Sequence, residues 1–322
     1  MNLSTHRAEP IAKALPLIEV EGLGRYFGAL SAVRDVSFTL NRGDILGFLG
    51  PNGAGKSTTM QMLTGNLAPS AGRVRVAGID LRRHPKAAKA HIGYLPEVPP
   101  LYRDAGVDEF LRFCAGLHGL RGKAVVSAVD RAKQRCGLEK VGRRLIGNLS
   151  KGFQQRVGIA QAIVHEPEVV ILDEPTVGLD PIQIIEIRAL IAELGRAHGV
   201  IVSTHILPEV QALCNRVQII RRGELVFSAH TDDLVATRES RLRVRFVQPG
   251  NGDALAALPG VLDVKAEGDR WVLRIDGNAG EVAEAVAVLA QEGGWGLREL
   301  TPEWVTLEQL FVDLTVHEAP PT

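Results

Sequence analysis

One segment constrains this chain more than any other, namely Gly50-Pro51-Asn52-Gly53-Ala54-Gly55-Lys56-Ser57-Thr58. It fits the pattern G-x-x-x-x-G-K-(S/T), which forms a phosphate-binding loop between a buried strand and a helix. The apolar run at 45–49 and the helical run at 57–63 supply that context. The glycines let several backbone N–H groups point at one centre, and the helix N-terminus adds positive charge there. The segment therefore predicts a nucleoside-triphosphate site, in which Lys56 contacts the outer phosphates and Ser57 holds Mg²⁺.

A second chemical element follows the continuous apolar run at 169–172, which ends in Asp173 and Glu174. A carboxylate at the tip of a buried strand beside a phosphate loop can bind Mg²⁺, and this is the role predicted for Asp173. Glu174 is placed to polarise the water that attacks the γ-phosphate. An ordinary acidic turn is the alternative, and the phosphate loop elsewhere in the chain disfavours it.

Composition limits the classes of partner. The chain has 322 residues, enough for two domains with cores of their own. Its 37 Lys and Arg residues balance 37 Asp and Glu residues, so the basic excess typical of nucleic-acid-binding proteins is absent. The run from Arg82 to Lys86 is locally basic and is interpreted as a solvated loop. No nucleic-acid partner is expected.

The cysteine pattern and hydropathy indicate the compartment. Cys114, Cys136 and Cys214 are scattered without metal-binding spacing, which favours a reducing environment. No apolar run approaches the ~20 residues of a membrane-spanning helix, and residues 1–17 have no signal-peptide core. We expect a cytoplasmic protein with a disordered lead-in at 1–17, and any membrane role would come through a partner.

Strand–helix alternation over residues 18–235 predicts the main domain. Several of the strands are apolar throughout, which indicates an α/β fold with a mostly parallel sheet covered on both faces. Residues 18–21 alternate like an edge strand. A helical subdomain at about 101–148 has an apolar face formed by Phe110, Leu111, Phe113, Cys114 and Leu117.

Residues 240–317 predict a separate, small α+β domain. Their pattern has the order β-α-β-β-α-β and resembles a ferredoxin-like unit, followed by an extra helix at 307–314. A regulatory or dimer-supporting role is expected for it, and a stabilising appendage is the alternative.

Four further motifs stand in a recognisable order. They are Tyr94-Leu95-Pro96-Glu97, Leu149-Ser150-Lys151-Gly152-Phe153-Gln154, Val177-Gly178-Leu179-Asp180 and Ser203-Thr204-His205. Together with the phosphate loop they resemble the Q-loop, signature, D-loop and switch histidine of the ATP-binding subunit of an ABC transporter. The resemblance covers about 18–234 and implies a P-loop NTPase core of the ABC ATPase kind.

The resemblance also implies how ATP and Mg²⁺ are bound. Phe27 matches the aromatic residue that stacks on adenine, although Tyr26 could serve instead. Lys56, Glu174 and His205 match the catalytic residues, and the metal ligands correspond to Ser57, Glu97 and Asp173. In the family a second ATP-binding subunit completes each site, here through residues matching Ser150, Gly152, Gln154 and Asp180. Two ATP molecules would then be sandwiched between two chains, and we expect a homodimer.

Two positions depart from the family pattern. Glu97 stands where the family usually has Gln, which keeps a metal ligand but adds negative charge near the phosphates. Lys151 replaces a signature glycine. Its ammonium could point toward the facing phosphate, and a solvated side chain is the simpler interpretation.

The motif variants most resemble the ATP-binding subunits of ABC-2-type exporters, including the gliding-motility-associated kind. Their C-terminal extension ends in a pattern similar to the one at 307–314. This resemblance implies an integral membrane permease as partner, on the cytoplasmic side of the membrane. Two other classes remain as hypotheses: a soluble ABC-type ATPase acting on nucleic acid or the ribosome, and another P-loop enzyme such as a kinase.

Overall fold

A computed structural model describes residues 15–231, 240–276, 279–304 and 311. The chain divides into two compact units, Met1–Ala229 and His230–Thr322. Each unit has a hydrophobic core of its own.

In the described part of the first unit, ten strands form two sheets. They are β1 (Ile18–Phe27), β2 (Leu30–Leu40), β3 (Ile45–Leu49), β4 (Ala71–Val76), β5 (Ile79–Asp80), β6 (Ile92–Leu95), β7 (Val169–Asp173), β8 (Gly199–Thr204), β9 (Arg216–Arg221) and β10 (Glu224–His230). The larger sheet has the order β10-β9-β3-β8-β7-β6, and the smaller has the order β2-β1-β4-β5. In the larger sheet β3 pairs in parallel with β8 and β9, and β7 pairs in parallel with β6 and β8.

The central strands of the larger sheet are buried on both faces. Every residue of β3, β7 and β8 is buried, as expected for apolar strands of a parallel sheet between helices. The α/β fold with a mostly parallel sheet is therefore confirmed for this part of the chain.

The smaller sheet is antiparallel, and the sequence did not predict it as a separate layer. The prediction of an edge strand at 18–21 was wrong, because β1 pairs with β2 on one side and β4 on the other. Its alternation reflects one face packed in the core, where Ile18 and Val20 are buried, rather than exposure at an edge. Leu17 is also buried, and its N–H donates to the Leu40 carbonyl at 2.7 Å, so the lead-in ends before this residue. Residues 1–14 lie outside the described part of the chain.

Seven helices accompany these strands within the described residues. They are α1 (Lys56–Leu63), α2 (Pro85–Lys89), α3 (Val107–Leu117), α4 (Lys123–Cys136), α5 (Lys151–Ile163), α6 (Pro181–Gly195) and α7 (Leu207–Leu213). Short 3₁₀ turns at Glu139–Val141 and Ile146–Asn148 join α4 to α5. The basic run that was interpreted as a loop contributes the start of α2. No helix among the described residues is long and apolar enough to cross a membrane.

The helical subdomain buries only part of its predicted apolar face. Phe110, Leu111 and Cys114 are buried in α3, whereas Phe113 is 46% exposed and Leu117 is 72% exposed. Helical periodicity placed all of them on one broad stripe, but the stripe is wider than the surface that α4 and α5 cover. An apolar surface is thereby left open.

Among residues 240–276 and 279–304, the second unit has an antiparallel sheet and two helices. Its elements are β11 (Ser240–Phe246), α8 (Gly252–Ala256), β12 (Val261–Glu267), β13 (Arg270–Ile275), α9 (Ala279–Glu292) and β14 (Leu297–Trp304). The sheet order is β12-β13-β11-β14, and the neighbours run antiparallel. The predicted helix at 307–314 lies outside the described residues except at Phe311.

Candidate active site

Three neighbouring strands bring the candidate residues to one edge of the larger sheet. Strand β8 lies between β3 and β7 and is parallel to both. In this register Leu49 is opposite Thr204, and Asp173 is opposite Ser203. The phosphate loop, Glu174 and His205 follow directly on these strand ends. The carboxyl ends of parallel strands thus collect the three segments at the same level, which is where α/β folds bind ligands.

The phosphate loop needs glycine at two positions for space. A Cβ on Gly50 would lie 2.5 Å from the Ile220 carbonyl oxygen. Gly55 has φ of 106°, and a Cβ there would lie 2.6 Å from the Ala32 carbonyl oxygen. The loop runs so close to the neighbouring backbone that a side chain at either position would clash. The backbone N–H groups at the start of α1 form a cradle that fits a phosphate.

Lys56 is buried at the start of α1 and bends back over the loop. Its Nζ donates to the Gly50 carbonyl at 2.9 Å and to the Pro51 carbonyl at 3.3 Å. The same Nζ lies 3.4 Å from Glu174 Oε1. The ammonium is thus held where it can reach a phosphate in the cradle while it partly neutralises a buried carboxylate.

Glu174 is the residue on which the three segments converge. Besides Lys56, His205 contacts it, with Nδ1 at 3.0 Å and 3.1 Å from the two carboxylate oxygens. The N–H of Glu174 donates to the Ser203 carbonyl and hydroxyl. Its φ is 49°, a left-handed conformation that glutamate rarely adopts. The His205 side chain remains 41% exposed, so a ligand can reach it.

Asp173 lies beside the start of α1. Its Oδ1 accepts hydrogen bonds from the Ser203 hydroxyl and, at 3.4 Å, from the Ser57 hydroxyl. Burial raises the pKa of Asp173, the two hydroxyl contacts lower it, and the charges of Glu174 and Glu97 raise it. Carboxylate and hydroxyl oxygens are hard ligands, so this donor set fits Mg²⁺.

The negative charge of Asp173 also affects Tyr94. Burial, together with the charge of Asp173, raises the pKa of Tyr94 to about 12. Glu97 follows the end of β6 and is exposed. The edge beside the phosphate loop is therefore rich in carboxylate oxygens, and a cation there would relieve their repulsion.

The two candidate aromatic residues are both accessible. Phe27 and Tyr26 are exposed at the end of β1, and the Arg25 guanidinium lies 4.5 Å from the centre of the Phe27 ring. Both rings are exposed, so both remain candidates, although the Arg25 guanidinium covers one face of Phe27.

The signature residues form a second group. Ser150 caps α5 by accepting a hydrogen bond from the Phe153 N–H, and Gln154 Nε2 donates to the Leu149 carbonyl. Asp180 caps α6, and its Oδ1 accepts from the Gln183 N–H at 2.9 Å. Each of these hydrogen bonds stays within its own helix end. Their side chains make no hydrogen bond to residues 50–58 within the part of the chain that the structure describes.

Lys151 is exposed, in agreement with the simpler interpretation, and the end of its side chain lies beside Gly178. Its Nζ lies against Gly178, so that a Cβ on Gly178 would meet it at 2.0 Å. Gly152 packs in the same way against Gln183. Arg156 Nη2 donates to Glu186 Oε2 at 2.7 Å. The start of α5 is therefore joined to the segment 178–186.

Sequence reasoning missed two residues of this region. Ser203 precedes His205 in a motif but was given no role, and the structure shows that it hydrogen-bonds both Asp173 and the Glu174 N–H because it lies opposite Asp173 in the neighbouring strand. Glu209 is buried in α7 and bonds Thr176 and Thr204. A single acidic residue in an unpredicted helix gives no such signal, because its burial depends on the tertiary structure.

Comparison with known proteins agrees with this geometry. The profile of the ABC transporter family matches residues 33–177. The bacitracin transport ATP-binding protein BcrA of Bacillus licheniformis is 33% identical over 303 residues, which cover 92% of this chain and 97% of that protein. This chain belongs to the ABC transporter family. Its first unit is an ABC ATPase domain with a P-loop NTPase fold, which binds ATP.

Other relatives match mainly the ABC domain. The probable multidrug ABC transporter ATP-binding protein YbhF of Escherichia coli is 38% identical over 221 residues, which are 68% of this chain. This chain spans only 38% of the length of that relative. Among solved structures, cbiO1 of Clostridium perfringens, described as part of the ABC transporter complex cbiONQ, has a TM-score of 0.63 and 30% identity. That likeness covers 69% of this chain and 91% of cbiO1.

Proposed function

We propose that this chain is the ATP-hydrolysing subunit that powers an ABC-2-type membrane transporter working as an exporter. The observation that carries the proposal is the meeting of Lys56 and His205 on the strained, buried carboxylate of Glu174. These side chains come from three separate strand ends, and their convergence beside a phosphate cradle is what hydrolysis of a terminal phosphate requires.

The proposed division of work follows from the contacts. The backbone N–H groups of 50–58 and the Lys56 ammonium bind the phosphates of ATP. Glu174 is directed to accept a proton from the attacking water, and its backbone contacts with Ser203 hold that direction. His205, in contact with the same carboxylate, orients it and can donate to the γ-phosphate.

Ser57 and Asp173 would hold Mg²⁺, with Glu97 as a further carboxylate ligand. When bound, Mg²⁺ neutralises phosphate charge and stabilises the charge that develops during transfer. The hydrogen bond from Ser203 fixes the rotamer of Asp173 for this task.

We also propose that the active unit is a homodimer. Ser150, Gly152, Gln154 and Asp180 lie at the starts of α5 and α6, where helix N-termini favour an anion. Because their side chains make no hydrogen bond to the phosphate loop among the described residues of their own chain, we assign them to the ATP of the second subunit. ATP binding would then close the dimer, and hydrolysis would reopen it.

The proposed membrane partner is a permease that docks on the open surface of the helical subdomain. This surface consists of the exposed apolar side chains of Val98, Tyr102, Phe113 and Leu117. The Tyr102 ring contacts both Phe110 and Phe113, and these contacts hold the exposed aromatic side chains in place. It lies close in sequence to Glu97, which could link docking to the nucleotide site. The chain would then work at the cytoplasmic face of the membrane.

The relation to BcrA supports a transport role, since that protein is named for bacitracin transport and aligns over 92% of this chain. An ABC-type ATPase that acts on nucleic acid or the ribosome is not favoured, because the relatives are named as transport proteins. For the region 240–317 we propose a regulatory or dimer-supporting role.

The test is co-purification followed by an ATPase assay. We expect the tagged chain to retain an integral membrane protein from detergent-solubilised membranes and to hydrolyse ATP with Mg²⁺. A Lys56→Ala variant should bind no ATP and hydrolyse none. An active ATPase that purifies only with ribosomes or nucleic acid would overturn the transport assignment.

A further inference from the structure

Glu209 is a buried carboxylate outside the contacts assigned above. It lies in α7 and is 3% exposed. Its Oε1 accepts a hydrogen bond of 2.5 Å from the Thr176 hydroxyl, and its Oε2 accepts one of 2.8 Å from the Thr204 hydroxyl. Both threonines are themselves buried. A buried charge is costly unless its hydrogen bonds are fully made, so a carboxylate at this position indicates a role that an apolar side chain could not fill.

The two hydroxyls belong to the segments that carry the site. Thr176 follows Glu174 in the loop that leads to Asp180, whereas Thr204 ends β8 and directly precedes His205. The Glu209 carboxylate therefore links the segment that follows Glu174 to the segment that precedes His205, and Glu174 and His205 are themselves in contact. The Thr204 hydroxyl also accepts a hydrogen bond from the Ile206 N–H at 3.0 Å, so the bridge encloses His205 from both of its neighbours.

Arg188 supplies the opposite charge. Its Nη2 lies 3.8 Å from Glu209 Oε1, and α6, which contains it, begins immediately after Asp180. The buried Nε of Arg188 makes no hydrogen bond within the part of the chain that the structure describes. The hydroxyl bonds, rather than a close ion pair, thus dominate the environment of Glu209.

We propose that Glu209 is a positioning residue for ATP hydrolysis, which sets the separation of Glu174 and His205 through Thr176 and Thr204. This inference rests on the proposed function. Since a misplacement of about 1 Å can cost about 10²-fold in rate, a bridge of this kind would act on turnover rather than on ATP affinity.

The first test is Glu209→Gln, which keeps size and shape but leaves an amide NH₂ facing one of the two hydroxyl donors. We expect kcat for ATP hydrolysis to fall about tenfold, with KM unchanged within about twofold. Thr176→Val, which removes one donor, should lower kcat in the same way and should not add to the loss caused by Glu209→Gln. Wild-type kcat in both single variants would overturn the inference.

The second test separates positioning from folding. In a His205→Ala background, measured with radiolabelled ATP, Glu209→Gln should lower the residual rate by less than about twofold, because the side chain that it positions is gone. An equal fall in both backgrounds would mean that Glu209 only supports the fold. Val210→Ala is the matched control: it alters the same buried region without touching the carboxylate, and should lower Tm while leaving kcat near wild type.

These outcomes are distinguishable from failure of the proposed function. If the unaltered protein bound to its membrane partner hydrolyses no ATP, the proposed function fails. If it hydrolyses ATP and Glu209→Gln does so equally well, only the role of Glu209 fails.

Discussion

The backbone of Glu174 has a strained, left-handed conformation. Its φ of 49° places a long side chain in the left-handed region, which costs a non-glycine residue about 1–3 kcal/mol. The surrounding contacts hold it there: its N–H donates to Ser203, and its carboxylate contacts Lys56 and His205. The strain directs the carboxylate toward the phosphate loop, which a regular continuation of β7 would not do.

This geometry predicts the effect of Glu174→Gln. The amide keeps the shape of the side chain but cannot accept a proton, so ATP should still bind while turnover falls by about 10²-fold or more. Nucleotide binding and ATPase rate are the measurements, and the bound variant should accumulate as a closed dimer in size-exclusion chromatography with ATP.

Glu166 provides the matched control. It has φ of 53° and is exposed, and it pairs with Arg131 rather than with any site residue. Glu166→Gln should leave turnover near wild type. A Glu174→Gln protein that hydrolyses ATP at the wild-type rate would remove the residue on which the proposed function rests.

Lys151 and Gly178 predict a second residue-scale effect. Gly178 has φ of 71°, so alanine there meets backbone strain, whereas the Lys151 ammonium beside it ends an exposed, flexible side chain that can move aside. Gly119, with φ of 87°, has open space around the position of a Cβ. Gly178→Ala and Gly119→Ala should therefore destabilise the protein by similar amounts, about 1–2 kcal/mol from backbone strain.

Denaturant unfolding measures both free energies of unfolding, and Lys151→Ala should leave the cost of Gly178→Ala unchanged. A larger cost for Gly178→Ala than for Gly119→Ala, removed by Lys151→Ala, would contradict this prediction.

At the scale of elements, a pair of histidines joins α3 to the end of α5. The rings of His118 and His165 stack at 3.5 Å between centroids with 6° between their planes. Burial lowers the pKa of His165 to about 4, the charge of His118 lowers it as well, and a contact with the Ile92 carbonyl opposes the shift. Burial also lowers the pKa of His118. The stack is therefore stable when both rings are neutral.

The pH dependence follows from this sign. Below the ordinary histidine pKa of 6.5, His165 is protonated in the unfolded chain. In the folded chain, His165 stays neutral until the pH falls to about 4. Stability should fall as pH decreases through this window, by about 1–3 kcal/mol in total. His165→Gln should flatten the profile of unfolding free energy between pH 6.5 and 4, whereas His84→Gln, at an exposed position, should not. Parallel profiles for wild type and His165→Gln would contradict the prediction.

Strands and helices with a strong sequence pattern could be predicted. Features that depend on which strands pair, and helices too short for a periodic pattern, could not. The apolar runs of β3 and β7 and the motif between β3 and α1 identify a parallel sheet and a phosphate loop without any structure. The pattern of β1 could not reveal two antiparallel neighbours, since alternation reports one buried face and not what covers it. Helices α2 and α7 were missed because they have five and seven residues, too few for a periodic signal.

The candidate site divides in the same way. Residues within a contiguous motif, such as Lys56 and Ser57, could be found from spacing alone. Ser203 and Glu209 could not, because their importance comes from register and from the burial of α7.

At the scale of the whole molecule, the second unit has its own core, made by side chains of β11, β13 and α9. The alignment with BcrA, which covers 92% of this chain, extends beyond the ABC domain, whereas that with YbhF covers 68%. BcrA therefore has a segment that aligns with part of this unit.

Deletion of residues 240–322 tests that role. A regulatory or dimer-supporting unit predicts that the shortened chain changes its ATPase rate or its ATP-dependent dimerisation by several-fold. Both are measurable on purified protein, with ATP binding as the control for an intact first unit. Unchanged rate, assembly and transport would favour a stabilising appendage instead.

The place of β8 between β3 and β7 has a consequence for how this protein tolerates change. Hydrogen-bonded pairing sets the level at which His205 leaves the sheet, so a single residue inserted into 199–204 would turn the imidazole to the opposite face. Such an insertion would abolish ATP hydrolysis, although every sequence motif would remain intact. Length within this strand is therefore as much a determinant of activity as the identity of any side chain.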